Sequence, residues 1–132
     1  MNDQEEILAK GIVSLPNQLE HPEVVDVSYD LWLLRVTVTF EDQKNPVYLE
    51  FEGVRGFRVL DEGDLIEFWS NDCCLEGWLV EITKGGWFAL EQSRSGFITS
   101  PEQGFREYLI AGINACVSVI AYEVPRVYQA QP

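Results

Sequence analysis

From Leu33 onward the chain alternates between apolar and polar residues. In LLRVTVTFE, Leu34, Val36, Val38 and Phe40 fall on one parity, and Arg35, Thr37, Thr39 and Glu41 on the other. A period of two, carried by β-branched residues, is the pattern of a half-buried strand. Asp42 to Asn45 supply turn chemistry, and PVYLEFE resumes the alternation with Val47, Leu49 and Phe51 against Glu50 and Glu52. Two such runs joined by a short polar loop predict a β-hairpin.

Further along, Gly53 and Gly56 interrupt the extended run FEGVRGFRVL. Glycine inside a strand marks a bulge or a close backbone approach. LDEGDLIEFW has helical spacing at Leu65, Ile66, Phe68 and Trp69, weakened by Gly63. It reads as a turn followed by a strand or by one irregular helical turn. GWLVEIT places Trp78, Val80 and Ile82 on one face, and WFALEQ follows across Lys84-Gly85-Gly86. A glycine pair between two extended runs predicts a second hairpin, because both glycines can take positive φ. SRSGFITSPEQG has loop composition, with room for a brief strand at Phe97-Ile98. EYLIAGINACVSVIAYEV is apolar on both parities, as a strand covered on both faces would be, and Gly112-Ile113-Asn114 divides it in two.

Residues 1–22 form a polar lead. Glu5 to Leu15 can make a short helix limited by Gly11 and Pro16, and the alternative is a partly disordered lead. The hairpins outnumber the helical segments, so the expected fold is α+β and mostly β. We expect one strongly bent antiparallel sheet or a partly closed barrel built from hairpins, with at most one or two short helices. A chain of 132 residues fits a single domain spanning 1–132.

Charge changes the picture more than composition does. Nine basic residues against 22 acidic ones give a net charge of −13. Such a surface repels phosphate backbones and anionic bilayers, which argues against nucleic-acid and membrane partners and for a basic protein partner. The first residues lack the basic and apolar regions of a secretory signal, and no apolar run is long enough to span a bilayer. Three cysteines, two of them adjacent (Cys73, Cys74), do not make a disulfide framework. These features point to a cytoplasmic protein.

Catalytic chemistry does not converge. His21 is the sole histidine and sits beside Pro22, so a Ser-His or Cys-His arrangement would have to use it. Asp61 to Asp64 lack the spacing of a calcium loop, and no Cys-x-x-Cys or histidine pair offers a zinc site. Gly53 to Gly56 have the spacing of an RNA-binding loop, but a bulged strand explains them better in so acidic a chain. Glu50 and Glu52 share a strand face, and Glu67 adjoins Phe68 and Trp69, as acids do on any half-exposed strand. We expect no enzyme, no cofactor and no metal.

One stretch carries charge in concert. Between Arg58 and Lys84 lie seven carboxylates, no positive charge, and the tryptophans Trp69 and Trp78. Acids that repel one another can be relieved by a basic partner, and aromatics at the edge can anchor it. The candidate partner-binding residues are Asp61, Glu62, Asp64, Glu67, Trp69, Asp72 and Glu76. FEGVRGFRVLDEGDLIEFW, GWLVEITKGGWFALE and EYLIAGINACVSVIAYEVP, within residues 30–127, resemble immunity proteins of bacterial polymorphic-toxin systems. The resemblance implies an inhibitor without enzymatic activity that binds one toxin, often a basic nuclease, and blocks its site. It transfers no residue roles. Two rival readings stand beside it. One is a β-barrel-like binder of small ligands with a pocket built from Trp32, Trp69, Trp78 or Trp87; the other is a structural subunit of a larger assembly.

Overall fold

A computed structural model of the protein describes residues 7–11, 20–64 and 77–129. Among the described residues, nine strands and one short α-helix follow one another as β1 (Leu8–Gly11), β2 (Glu23–Tyr29), β3 (Leu33–Thr39), β4 (Val47–Glu52), β5 (Val54–Asp61), β6 (Leu79–Lys84), α1 (Trp87–Gln92), β7 (Arg106–Ala111), β8 (Ala115–Ala121) and β9 (Arg126–Gln129). They form a five-stranded sheet in the order β1-β6-β7-β8-β5 and a four-stranded sheet in the order β2-β3-β4-β9. All pairings are antiparallel. The fold is mostly β, as expected.

The predicted hairpin is β3–β4. Leu34 faces Phe51, Val36 faces Leu49 and Val38 faces Val47, so each apolar residue of one strand meets one of the other. These side chains are buried against Tyr108, Ile110, Val117 and Val119 of the five-stranded sheet and against Trp78, which precedes β6. Edge-to-face contacts join the layers at Phe40–Trp78, with ring centroids 5.5 Å apart, and at Tyr29–Phe57, 5.2 Å apart.

The bend lies at Gly53, where the chain leaves the four-stranded sheet at β4 and enters the other at β5. Its φ of 65° suits glycine, and a Cβ there would stand 3.1 Å from the Tyr122 Cβ. The register shift between Val54 and Gly56 is the bulge that the second glycine predicts. The apolar run 107–124 is indeed the hairpin β7–β8, and both of its faces are buried. On the far side from the main core, Val80, Ile82, Leu109 and Cys116 make a second cluster with Ile7.

Three local expectations change. Leu8–Gly11, inside the expected N-terminal helix, is a strand paired with β6. No strand forms at Phe97-Ile98. WFALEQ is helix α1 instead of the second arm of a hairpin. Six residues are too few for a helix to hold itself, and tertiary contacts anchor this one. The Glu107 carboxylate accepts the backbone N–H of Trp87 at 3.2 Å and of Phe88 at 2.9 Å, and Phe88 is buried.

A side chain also ties the two layers together. Asn114, in the β7–β8 turn, accepts the N–H of Val24 at 3.0 Å and donates to its carbonyl at 2.9 Å. The N–H of Ile113 adds a bond to the Pro22 carbonyl at 2.8 Å. Asn114→Ala should lower unfolding free energy by about 1–2 kcal/mol in urea titrations, since both bonds are lost.

Candidate functional site

Two of the three most exposed large apolar side chains among the described residues, Leu31 and Trp32, stand side by side at the turn between β2 and β3. Asp30 builds that turn: its Oδ1 accepts the N–H of Trp32 at 2.9 Å and of Leu33 at 2.8 Å. The bond from Leu33, followed by that from Trp32, holds the Asp30 carboxyl below its usual range. Leu31 at the tip has φ of 79°. A bulky residue in the left-handed region is strained, where glycine or asparagine would sit at lower cost. The strain projects Leu31, 78% exposed, beside Trp32, 84% exposed.

Next to this tip, Leu33, Glu50, Glu52, Glu123, Val124 and Arg126 line a cleft of about 390 Å³. Glu50 is already engaged. It accepts hydrogen bonds from the Arg126 guanidinium and from the Tyr128 hydroxyl at 2.6 Å. The Tyr128 bond, then Arg126, lowers the Glu50 pKa against the effect of burial. Arg126 also lies over the Tyr128 ring, which packs on Tyr48 beneath Arg35, so these cations are held on the outer face of the sheet. Glu52 and Glu123 have no ion pair within 4 Å among the described residues. Leu33 and Val124 give the cleft apolar walls, and Val124 is exposed.

The residues expected from sequence fall elsewhere. Asp61 ends β5, and Glu62–Asp64 follow it as a 3-10 turn. Asp61 and Asp64 are exposed. The Asp61 carboxylate accepts the Gly63 N–H at 3.0 Å, so it closes a turn. Glu67, Trp69, Asp72 and Glu76 lie outside the described residues, as do Cys73 and Cys74. Among the described residues no group of three or more histidine, cysteine or acidic side chains is placed to hold a metal ion. No helix among them is long and apolar enough to cross a membrane.

The tryptophans invoked for a ligand pocket stand apart. Trp32 is at the exposed tip, Trp78 is fully buried between the sheets, and Trp87 lies on α1 against Arg58. Trp69 lies outside the described residues. No protein-family model, curated protein or solved structure matches the chain. The surface therefore speaks through its own chemistry.

Sequence reading missed the tip because β2 does not alternate cleanly. A register shift between Val24 and Asp26 leaves Val25 exposed and breaks the period of two. The available signal was Asp30 followed by Leu31-Trp32-Leu33, an aspartate-built turn carrying large apolar residues where polar ones are usual.

Proposed function

We propose that the protein is a non-enzymatic protein-binding module, a cytoplasmic inhibitor of the immunity type that neutralises a basic toxin. The observation that carries this reading is the strained Leu31-Trp32 tip beside the carboxylates of Glu52 and Glu123. An exposed tryptophan held on a rigid turn binds with little loss of freedom, and such residues dominate interface energies. The unpaired carboxylates, with a net charge of −13, steer a basic partner toward the tip. Asp61, Glu62 and Asp64 add to this field; Glu67, Trp69, Asp72 and Glu76 are assigned to the same partner from sequence.

The test is capture of partners from the native cells at low salt, followed by affinity measurement with the purified partner. One strongly basic protein, retained near stoichiometrically and released by salt, is the expected result. Trp32→Ala should weaken it about 30-fold, about 2 kcal/mol, with an unchanged melting temperature. Replacing Asp61, Glu62 and Asp64 by their amides should chiefly slow association at low salt. Recovery of no basic partner would overturn the reading, and an unchanged affinity in Trp32→Ala would remove the tip from it.

A further inference from the structure

A second cleft, of about 490 Å³, opens between the end of β6, helix α1 and the 3-10 turn Pro101–Gln103. That volume is within the range of small-molecule sites. Its residues belong to the five-stranded sheet and its connections, and none is shared with the β2–β3 tip or the cleft beside it. Ile82, Phe88 and Phe105 supply apolar walls, and Glu107 lines the cleft at 1% exposure.

Glu107 is the one buried charged side chain among the described residues. A buried carboxylate is costly unless other groups satisfy it. Its two oxygens each take one backbone N–H from α1, at 2.9 and 3.2 Å. A carboxylate offers about four acceptor positions, so acceptor capacity remains. Arg58, on β5, favours the ionised form, but it stacks on Trp87 and does not line the cleft.

The rim carries Glu81 and Lys84 from β6, Glu102 from the turn and Arg106 from β7. Arg106 is engaged: its Nη1 donates to the carbonyls of Pro101 and Phe105, and its Nε lies 3.9 Å from Glu81. Glu81 is paired with Arg106 and, at 3.7 Å, with Lys10, which leaves Glu102 and the buried Glu107 facing this space against Lys84. An anionic ligand would meet net repulsion, and a neutral one would gain no Coulombic attraction. A cation with an apolar body satisfies both the walls and the buried acid.

We propose that this cleft binds a small organic cation, an amine or amidine on an apolar body, with the Glu107 carboxylate as its counter-charge. The head group would accompany the two N–H donors at Glu107, and the body would lie along Ile82, Phe88 and Phe105. A protein with so negative a field also concentrates cations near its surface, so the test must separate this site from diffuse attraction.

The experiment is an NMR titration of the full chain at about pH 8, where Glu107 is mostly ionised. Three probes of similar shape and different charge are compared: benzamidine, benzamide and benzoate. Benzamidine should shift the amides of Gly86, Phe88 and Glu107 saturably, with benzamide at least about 10-fold weaker. Glu107→Gln should abolish the preference for the cation. Ala89→Leu, which fills the cleft from α1, should abolish the shifts in an otherwise native spectrum and decides the matter if Glu107→Gln fails to fold. Equal binding of benzamide or benzoate, shifts scattered over the surface without saturation, or indifference to Ala89→Leu would overturn the proposal.

Discussion

Lowering the pH from about 8 to about 5.5 should stabilise the protein by about 2 kcal/mol through Glu107 alone. Burial of this carboxyl raises its pKa from 4.5 to about 7, against the opposing pull of the Phe88 and Trp87 N–H groups and of Arg58. The folded state therefore binds the Glu107 proton more tightly than the unfolded chain does. The resulting stability is complete below the unfolded value and is lost as pH rises through about 7. His21 works the other way in the same window: burial lowers its pKa, so its protonation favours unfolding as the pH falls. Glu50, whose pKa is lowered, loses its contribution only in more acidic solution.

The informative quantity is thus the difference between wild type and Glu107→Gln in urea unfolding across that range. The amide has no titration, while His21 and the overall charge change alike in both proteins. Wild type should gain about 2 kcal/mol on the variant on going from the higher to the lower pH. A difference independent of pH would mean that the carboxyl is solvated and titrates as it does in the unfolded chain. Absolute stability of the variant is less telling, since the amide removes a buried charge but also one acceptor.

Gly86→Ala should destabilise the protein by about 3 kcal/mol, combining overpacking with weakened bonds to a buried charge. The cause is space, because Gly86 has an ordinary φ of −97°. A Cβ would stand 2.6 Å from Glu107 Oε1 and 2.6 Å from Ile82 Cγ2, and both side chains are buried. Relief requires the loop to retreat, which draws Trp87 and Phe88 away from the carboxylate and frees a helix too short to persist alone. Gly96→Ala is the control: nothing lies within 4 Å of its Cβ position, and a change within about 0.5 kcal/mol is expected. Urea midpoints compare the two, and Trp87 fluorescence reports whether α1 leaves the sheet. If Gly86→Ala matches the control, the close approach at Glu107 has no bearing on stability.

These two residues mark the boundary of what sequence could tell. The hairpins β3–β4 and β7–β8 were legible because a strand's side chains alternate, and the pattern of 34–51 can bury one face only in that register. The bend at Gly53 and the bulge at Gly56 were legible as interruptions, since glycine inside an apolar run needs a backbone reason. The charge of −13 and the acidic turn at Asp61 to Asp64 were likewise plain. Lys84-Gly85-Gly86 has the composition of a hairpin turn, and one glycine does take a positive φ, 77° at Gly85. The other serves a different end, room for a carboxylate twenty-one positions away.

WFALEQ can satisfy either a strand or a helix, and six residues give no period to choose between them. Glu107 chose, by accepting the first N–H groups of the helix. Leu8–Gly11 was likewise decided by β6, whose free edge offered backbone partners no local propensity could reveal. The tip escaped notice because the bulge in β2 conceals the strand that carries it. By itself, then, the sequence determined the class of fold, the main hairpin and the sign of the surface, all of which follow from local periodicity and summed charge. Among the described residues, tertiary structure alone decided which carboxylates stay unpaired, which tryptophan faces solvent and which glutamate is buried. Those outcomes depend on neighbours distant in the chain, whose distances no local pattern encodes.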